Sequence, residues 1–505
     1  MTLAEASPWS LAKGLALAAV IAFLISPFVS WSRKIPGPLP AKYTRLWYAW
    51  QKYRNDFHWT NIRLHRQHGK IVQVMPGYFS IDDVESHRTI YGHGNAWIKG
   101  EFYIAWNVGP DPALTNLFAA RDPALHASMR RKVASMYSMS SLVSYEPYVD
   151  HCIELFHGQL EKFASADLVI NLGNWMQYFA FDAVSMITFG DRLGFLDHGE
   201  DVENLIQTLN YDHTVLSFMG LYPWLLPAFK KLTSLISGPK VLYFQRFASE
   251  KIETSRREKQ DLPDDGPVYM VKKFLDAQRR DEKKGITDWD IAANAGSNIG
   301  AGSDTTAIAL STIAYYLYRD ARILERVREE VDGAALSPRP NFQEAQKLPY
   351  MQAVIKEALR VQPGVGLPLW REVPKGGAVV CGQFFPEGTN LGVNSWVPHH
   401  NKDVFGPDAD EFRPERWLEA AGAHAAAMEQ SLIPFGLGSR TCIGKNVSLL
   451  EINKIIPVLV RDFDFSFLDE HGAPEKRDYL PVHNKWFIKL PDLNARVARR
   501  ANTAS

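Results

Sequence analysis

The segment PFGLGSRTCIGKN, Pro434 to Asn446, carries Cys442, one of three cysteines in 505 residues. It leads into IGKNVSLLEINKIIPVLV, whose apolar spacing reads as a helix as far as Pro457. The first N–H groups of a helix are unpaired and its dipole favours negative charge, so a cysteine at that place is expected as thiolate. A thiolate can attack a substrate, exchange with a second thiol, or bind a soft metal. No nearby histidine offers a base, and Cys152 and Cys381 are too scattered for a redox pair, a disulfide framework or a zinc cluster. Metal ligation remains, and a single sulfur suffices when a porphyrin supplies the other four positions. Gly436 and Gly438 permit a tight turn, and Gly444 keeps a side chain off a macrocycle. Arg440 offers a cation to a propionate and Phe435 an apolar lid over the sulfur. The alternative is a buried cysteine in an ordinary turn. Against it, F-G-x-G-x-R-x-C-x-G fixes six positions and arises by chance in about one chain in 10⁵ of this length.

Three other stretches carry chemistry. In TDWDIAANAGSNIGAGSDTTAIALSTIAYYLYRD, Thr287 and Asp290 form a capping box, and apolar residues continue almost all round, as in a helix buried through a domain. Gly296, Gly300 and Gly302 inside it suit tight packing or a local distortion. Asp304 and Thr305 follow directly, an acid and a hydroxyl that need partners or water and could deliver protons into a closed cavity. In YMQAVIKEALRVQP, Glu357 and Arg360 are neighbours on one helix face, and Arg416 of EFRPERWL could complete a charge network with them. In ALHASMRRKVA, His126 and Arg130 share a helix face, either as a solvated basic surface or around a buried dianion.

The elements that must position these groups make one large, mainly helical body. Acids and bases balance at 56 each, which removes a general electrostatic case for nucleic-acid binding. Hydrophobic residues reach 46% with 14 Trp, enough for a large core. Gly14 to Ser32 runs without a charge, spans roughly 28 Å as a helix, and is followed by Arg33 and Lys34. A membrane anchor over residues 9–32 is therefore expected, with residues 1–8 lumenal and everything after Arg33 cytosolic; a cleaved signal peptide is the rival. The proline-rich stretch at residues 33–40 makes a stiff hinge. Residues 41–495 form a single domain and 496–505 a tail. GKIVQVMPGYFSI and GAVVCGQFFPEGTNLGV read as hairpins, REKQDLPDDGP and RRDEKKG as solvated loops, and EAAGAHAAAMEQS as an irregular excursion.

FGLGSRTCIG resembles the haem-binding signature of the cytochrome P-450 superfamily without a mismatch. AGSDTT resembles its oxygen-activating helix, EALR its Glu-x-x-Arg helix and FRPERW its meander, in matching order across the chain. The anchor followed by PGP is similar to microsomal members, and HHNKDVFGPDADEFRPERWL to filamentous-fungal ones, in the group that includes pisatin demethylase. The resemblance implies a mainly α fold with small β-sheets, a haem b and dioxygen. Cys442 is then the axial ligand, and Asp304 with Thr305 the acid–alcohol pair that supplies protons. Glu357, Arg360 and Arg416 form the structural triad. Arg440, Arg371, Arg130 and His126 contact the propionates, although many members carry Trp where His126 stands. Electrons come from NADPH through a flavoprotein reductase, NADPH–cytochrome P-450 reductase, with cytochrome b5 as a further donor, at the endoplasmic reticulum membrane. Arg131, Lys132, Lys445 and Lys454 are the basic residues expected to receive the reductase. Phe102, Trp106, Phe118, Phe218, Ile299, Ala301, Val365 and Leu367 line the expected pocket for a lipophilic substrate. The implied reaction is insertion of oxygen into a C–H bond, by hydroxylation or oxidative dealkylation, in fungal secondary metabolism or detoxification. The competing readings are a reductase-independent haem-thiolate enzyme (isomerase, dehydratase or peroxygenase) and a non-catalytic haem or gas sensor.

Overall fold

The computed structural model describes residues 25, 30–94, 96–107, 114–237, 243–257 and 268–501. Apart from Ile25 and its last residues, the expected anchor lies outside the described residues. None of their helices is long and apolar enough to cross a membrane. Seven helices carry the argument: α1 (Leu46–Tyr53), α2 (Pro123–Val133), α3 (Leu172–Phe189), α4 (Leu205–Met219), α5 (Asp288–Arg319), α6 (Pro349–Val361) and α7 (Lys445–Asp462). So do seven strands: β1 (Ile71–Met75), β2 (Tyr78–Ile81), β3 (Ile98–Lys99), β4 (Arg371–Glu372), β5 (Asn390–Gly392), β6 (His483–Lys485) and β7 (Phe487–Lys489).

Helix α5 runs 32 residues through the middle of the domain, and its start is the expected capping box. Thr287 Oγ1 accepts from Asp290 N, and Asp290 Oδ2 accepts from Thr287 N. Its apolar residues are buried on nearly every side, which overrides the cost of its glycines. A Cβ on Gly302 would meet Val184 Cγ2 of α3 at 3.1 Å, so this glycine sets how closely the two helices approach. Helix α7 continues through Pro457 instead of ending there. Val458, Leu459 and Val460 beyond it are buried, and that packing offsets the lost backbone bond.

The main sheet has the order β1-β2-β5-β4-β3, antiparallel except for the parallel β2–β5 pair. Both expected hairpins form: β1 with β2, and Ala378–Val380 with Gln383–Phe385. A third pairs β6 with β7. The segment expected to be an irregular excursion is mostly the helix Gly422–Ser431. The stiff stretch after Lys34 stays non-helical to Pro38, and a helix then begins at Leu39. Pro36 O accepts from Gln73 N at 2.8 Å. A Cβ on Gly37 would lie 2.3 Å from Gln73 O, so glycine is what lets this segment lie against β1. Trp31 packs on Phe79 and Phe385 at 5.4 and 5.8 Å between ring centroids, fastening the start of the body to the sheet.

Apolar side chains separate into two main clusters. The larger joins α3, α5, α6 and α7. The second is aromatic and gathers Tyr48 and Phe57 with Phe102, Tyr103, Trp106, Trp370 and Trp486.

Candidate active site

The cysteine loop is built by short local bonds. Gly436 N donates to Ile433 O at 3.0 Å, Cys442 N to Phe435 O at 2.8 Å, and Thr441 N to Gly438 O at 3.1 Å. Gly438 has φ 62°, and a Cβ there would fall 1.7 Å from Tyr91 O, so no larger residue fits. A Cβ on Gly444 would stand 3.9 Å from Cys442 Sγ. Helix α7 starts at Lys445, with Gly444 as its cap, so the cysteine precedes the helix by three residues where the sequence suggested that it begins it. The N–H groups of Gly444 and Lys445 still reach the sulfur, and Arg130 and Lys445 add positive charge. Burial outweighs them and pushes the Cys442 thiol above its usual range, contrary to the thiolate expected from helix position alone. A coordinated metal reverses that balance, because its charge deprotonates a bound thiol outright.

The Cys442 side chain is accessible to water although protein surrounds it. Ala301, halfway along the buried helix α5, is likewise accessible. Around the loop stands a group of cations that form no ion pair among the described residues, with Asp122 the one carboxylate acting on Arg440. Arg440 donates to the carbonyls of Ala120 and Arg121 at 2.6 and 3.0 Å. Arg371 donates to Trp370 O at 2.9 Å, Arg130 to Thr441 O at 2.8 Å, and Lys99 to Phe118 O. Burial and then Arg371 pull Arg440 down to about 10. Burial, Arg371 and Arg440 carry Lys99 well below its usual value. His126 is held down at about 3, by burial first and Arg440 next, and is neutral. Buried cations repelling one another require an anion to compensate them. A haem fits this donor set: sulfur for the iron, and Arg440, Arg371, Arg130 and Lys99 for two propionates.

The charge network is present and buried. Glu357 accepts from Arg360 Nη2 and Nε at 2.7 and 2.9 Å, from Arg416 Nε at 2.9 Å, and from Trp417 Nε1 at 2.9 Å. Burial alone would raise its carboxyl, but Arg360 and Arg416 hold it below the usual range. Arg360 Nη1 also donates to His399 O at 2.7 Å. His399 in turn places Nδ1 2.9 Å from Arg360 O, while its Nε2 accepts from Ile433 N at 2.8 Å. Helix α6 is thereby connected to the residue that opens the cysteine loop.

Asp304 and Thr305 point in different directions. Thr305 Oγ1 donates to Ala301 O at 2.8 Å, on the accessible side of α5. Asp304 is buried, accepting from Gln177 Nε2 of α3 at 2.5 Å, paired with Lys489 of β7, and 3.5 Å from His213 Nδ1 of α4. Thr306 Oγ1 donates to Ser448 Oγ of α7 at 3.0 Å, so the central and cysteine helices touch one residue beyond Thr305.

Of the pocket residues, Phe102, Trp106 and Leu367 belong to the aromatic cluster, and Phe218 and Val365 pack against it. Phe118 is exposed but edges onto Tyr103 and Trp106 at 5.4 and 5.5 Å. Ala301 faces the cavity side of α5, whereas Ile299 is buried in the larger cluster and stands apart from the rest. Among the basic residues assigned to a reductase, Lys445 and Arg131 are exposed. Lys132 is paired with Asp290 at 2.8 Å. Lys454 is buried between Glu146 and Asp150 at 2.9 and 3.0 Å, which removes it from any docking face. Sequence reasoning missed Lys99, Lys489, His213 and Gln177. No local pattern marks them, since each meets the site from a separate element.

The chain is similar in sequence to known proteins. The family model described as Cytochrome P450 matches residues 36–485. A pisatin demethylase of Fusarium vanettenii is 39% identical over 481 residues, covering 95% of this chain and 92% of its own length. A cytochrome P450 monooxygenase of Aspergillus terreus is 37% identical over 474 residues, 89% of this chain and 94% of its own. The cytochrome P450 monooxygenase cicH of Emericella nidulans is 36% identical over 465 residues, 90% and 91% respectively.

Proposed function

The chain belongs to the cytochrome P450 family, oxidoreductases that use haem and dioxygen, and on that premise we propose that it oxygenates a C–H bond of a lipophilic small molecule. The product is an alcohol or, next to an ether oxygen, a dealkylated phenol or alcohol; a relative named as a demethylase supports the second. Secondary metabolism or detoxification is the setting this chemistry suits. The carrying observation is Cys442, accessible and surrounded by protein, beside four cations that form no ion pair among the described residues.

When bound there, haem supplies thiolate-supported activation of dioxygen. Cys442 would supply the sulfur that holds the iron, with the N–H groups of Gly444 and Lys445 holding its charge in place. Arg440, Arg371, Arg130 and Lys99 would hold the propionates, and His126 would offer a neutral donor beside them. Lys489, pulled below its usual range by burial in spite of Asp304, pairs with the Asp304 carboxylate and holds it in place. Thr305 presents its hydroxyl on the cavity side and passes protons inward. The aromatic cluster excludes water from the substrate.

Two electrons reach the site from NADPH through a flavoprotein reductase, with cytochrome b5 as an additional donor, docking at the face that carries Arg131 and Lys445. Residues 9–32 anchor the chain in the endoplasmic reticulum membrane, residues 33–40 form the hinge, and residues 41–495 form the cytosolic catalytic body; of the expected 496–505 tail, residues 496–499 belong to that body, since the strand Asn494–Arg499 pairs with Phe463–Leu468. The test is Cys442→Ser. Loss of the red-shifted Soret band of the ferrous carbon-monoxide complex is expected, and a variant keeping that band refutes thiolate ligation. Thr305→Ala is expected to release peroxide in place of product, and unchanged coupling removes Thr305 from proton delivery.

A further inference from the structure

We propose that the aromatic pocket takes a lipophilic molecule bearing an ionised oxygen, a carboxylate or phenolate, and that Lys52 receives it. The inference rests on the monooxygenase reading and names the substrate class of that same site.

Helix α1 carries Tyr48 and Lys52 one turn apart, both turned into the protein and buried. Lys52 is 1% exposed. Its Nζ stands 4.3 Å over the ring of Phe218, a residue of α4 that packs against the aromatic cluster. Among the described residues it has no ion pair, and the charge that acts on it is another cation, Lys485 of β6. Burial, with Lys485 adding to it, pulls the ammonium down to about 7. Of the other buried lysines, Lys454 lies between Glu146 and Asp150, Lys489 against Asp304, and Lys99 donates to Phe118 O. A buried ammonium with no carboxylate partner is costly unless a ligand completes it.

The neighbouring polar atoms lack partners in the same sense. Tyr48 Oη, Trp106 Nε1 and Trp486 Nε1 are buried with no hydrogen-bond partner. Indole N–H groups can only donate. Trp486 stacks on Phe102 at 5.0 Å and lies 5.4 Å from Trp106, so two of these donors share one aromatic cluster. It stands between β6 and β7 at φ 94°, a conformation that a tryptophan adopts only when its surroundings enforce it. A pocket of aromatic faces with several donors and an unpaired ammonium complements a flat, acceptor-rich anion. A hydrocarbon would leave every donor unsatisfied, and an amine would be repelled by Lys52.

The test uses the full-length holoenzyme at about pH 6.5, where a carboxylic acid is ionised and most of Lys52 is an ammonium. Methoxynaphthoic acid and its methyl ester, which share one ring system, are titrated while the Soret shift is followed. The acid is expected to bind about tenfold more tightly or better, the scale of a charge-assisted hydrogen bond. Lys52→Met should erase the difference while leaving the ester's Kd unchanged, and Lys52→Arg should preserve it. Equal Kd values in the wild type overturn the proposal, as does a preference that survives Lys52→Met. So does a wild type that responds to neither probe while forming its normal carbon-monoxide band. Loss of that band in the wild type would refute the monooxygenase reading instead, which keeps the two failures separate. Should Lys52→Met not fold, the wild-type comparison together with Lys52→Arg still decides.

Discussion

Acidification should unfold this protein over a narrow range, because it buries several imidazoles in neutral form. Burial holds His58 at about 3, and His65, His87 and His400 at about 4. In the unfolded chain each titrates near 6.5. Between pH 6.5 and 4 the unfolded state therefore binds more protons, and stability falls as pH falls. By pH 5 each residue costs about 2 kcal/mol relative to pH 7.5, and the four together about 8 kcal/mol. Asp82 acts in the opposite direction, since burial raises its carboxyl to about 6, but it returns only about 1 kcal/mol by pH 5. A net loss of that size is comparable to the whole stability of an ordinary domain, ~5–15 kcal/mol. His399 adds a geometric component, because its Nε2 must stay unprotonated to accept from Ile433 N. Thermal melting of the holoprotein by far-UV circular dichroism, stepped from pH 7.5 to 5, reads the loss directly. Both ring nitrogens of His87 lack partners, so His87→Leu should leave the protein unchanged at pH 7.5 and recover about 2 kcal/mol at pH 5. A wild type that melts at the same temperature at both pH values would refute the reasoning.

Three further outcomes follow from the geometry. Gly438→Ala should abolish cofactor loading, since its Cβ would collide with Tyr91 O, whereas Gly436→Ala at φ 69° meets only Leu369 Cδ1 at 3.7 Å and should cost ~1–2 kcal/mol; equal haem content in the two variants would contradict this. Glu357→Gln leaves Arg360 and Arg416 buried without their counter-charge and should cost about 3–5 kcal/mol, measured by denaturant unfolding; an unchanged midpoint would show that the network is not needed. Lys445→Glu should raise the reductase concentration needed for half-maximal turnover without altering the spectrum, while Lys454→Glu, buried against two carboxylates, should yield little folded protein; indistinguishable reductase dependence for Lys445→Glu and wild type would remove that face from docking.

Much of the site could be read from the chain because its signals are local. The capping box at Thr287, the Glu357–Arg360 spacing and the glycines before Cys442 each fall within a few residues, and each forms as expected. What could not be read is non-local. Asp304 is met by Gln177, His213 and Lys489 from three distant elements, a juxtaposition that only packing creates. Lys99 joins the cations through β3, which is paired to the strand holding Arg371. Pro457 misled because helix propensity is a weak prior beside burial: the packing of α7 carries the helix past it. Ile299 misled because helical phase alone does not say which side of an all-apolar helix faces a cavity.

The separation of the two apolar clusters has a consequence for how such a molecule can change over generations. Tyr91 accepts from Val393 N, donates to Leu369 O and abuts Gly438, while His399 secures Ile433, so the sulfur's position is inherited from the sheet and helix α6. The rings around Trp486 pack in the other cluster and take no part in those attachments. Residues of the proposed substrate pocket can therefore drift while those attachments stay in place. Inheritance can vary what is oxidised while conserving the means of oxidising it.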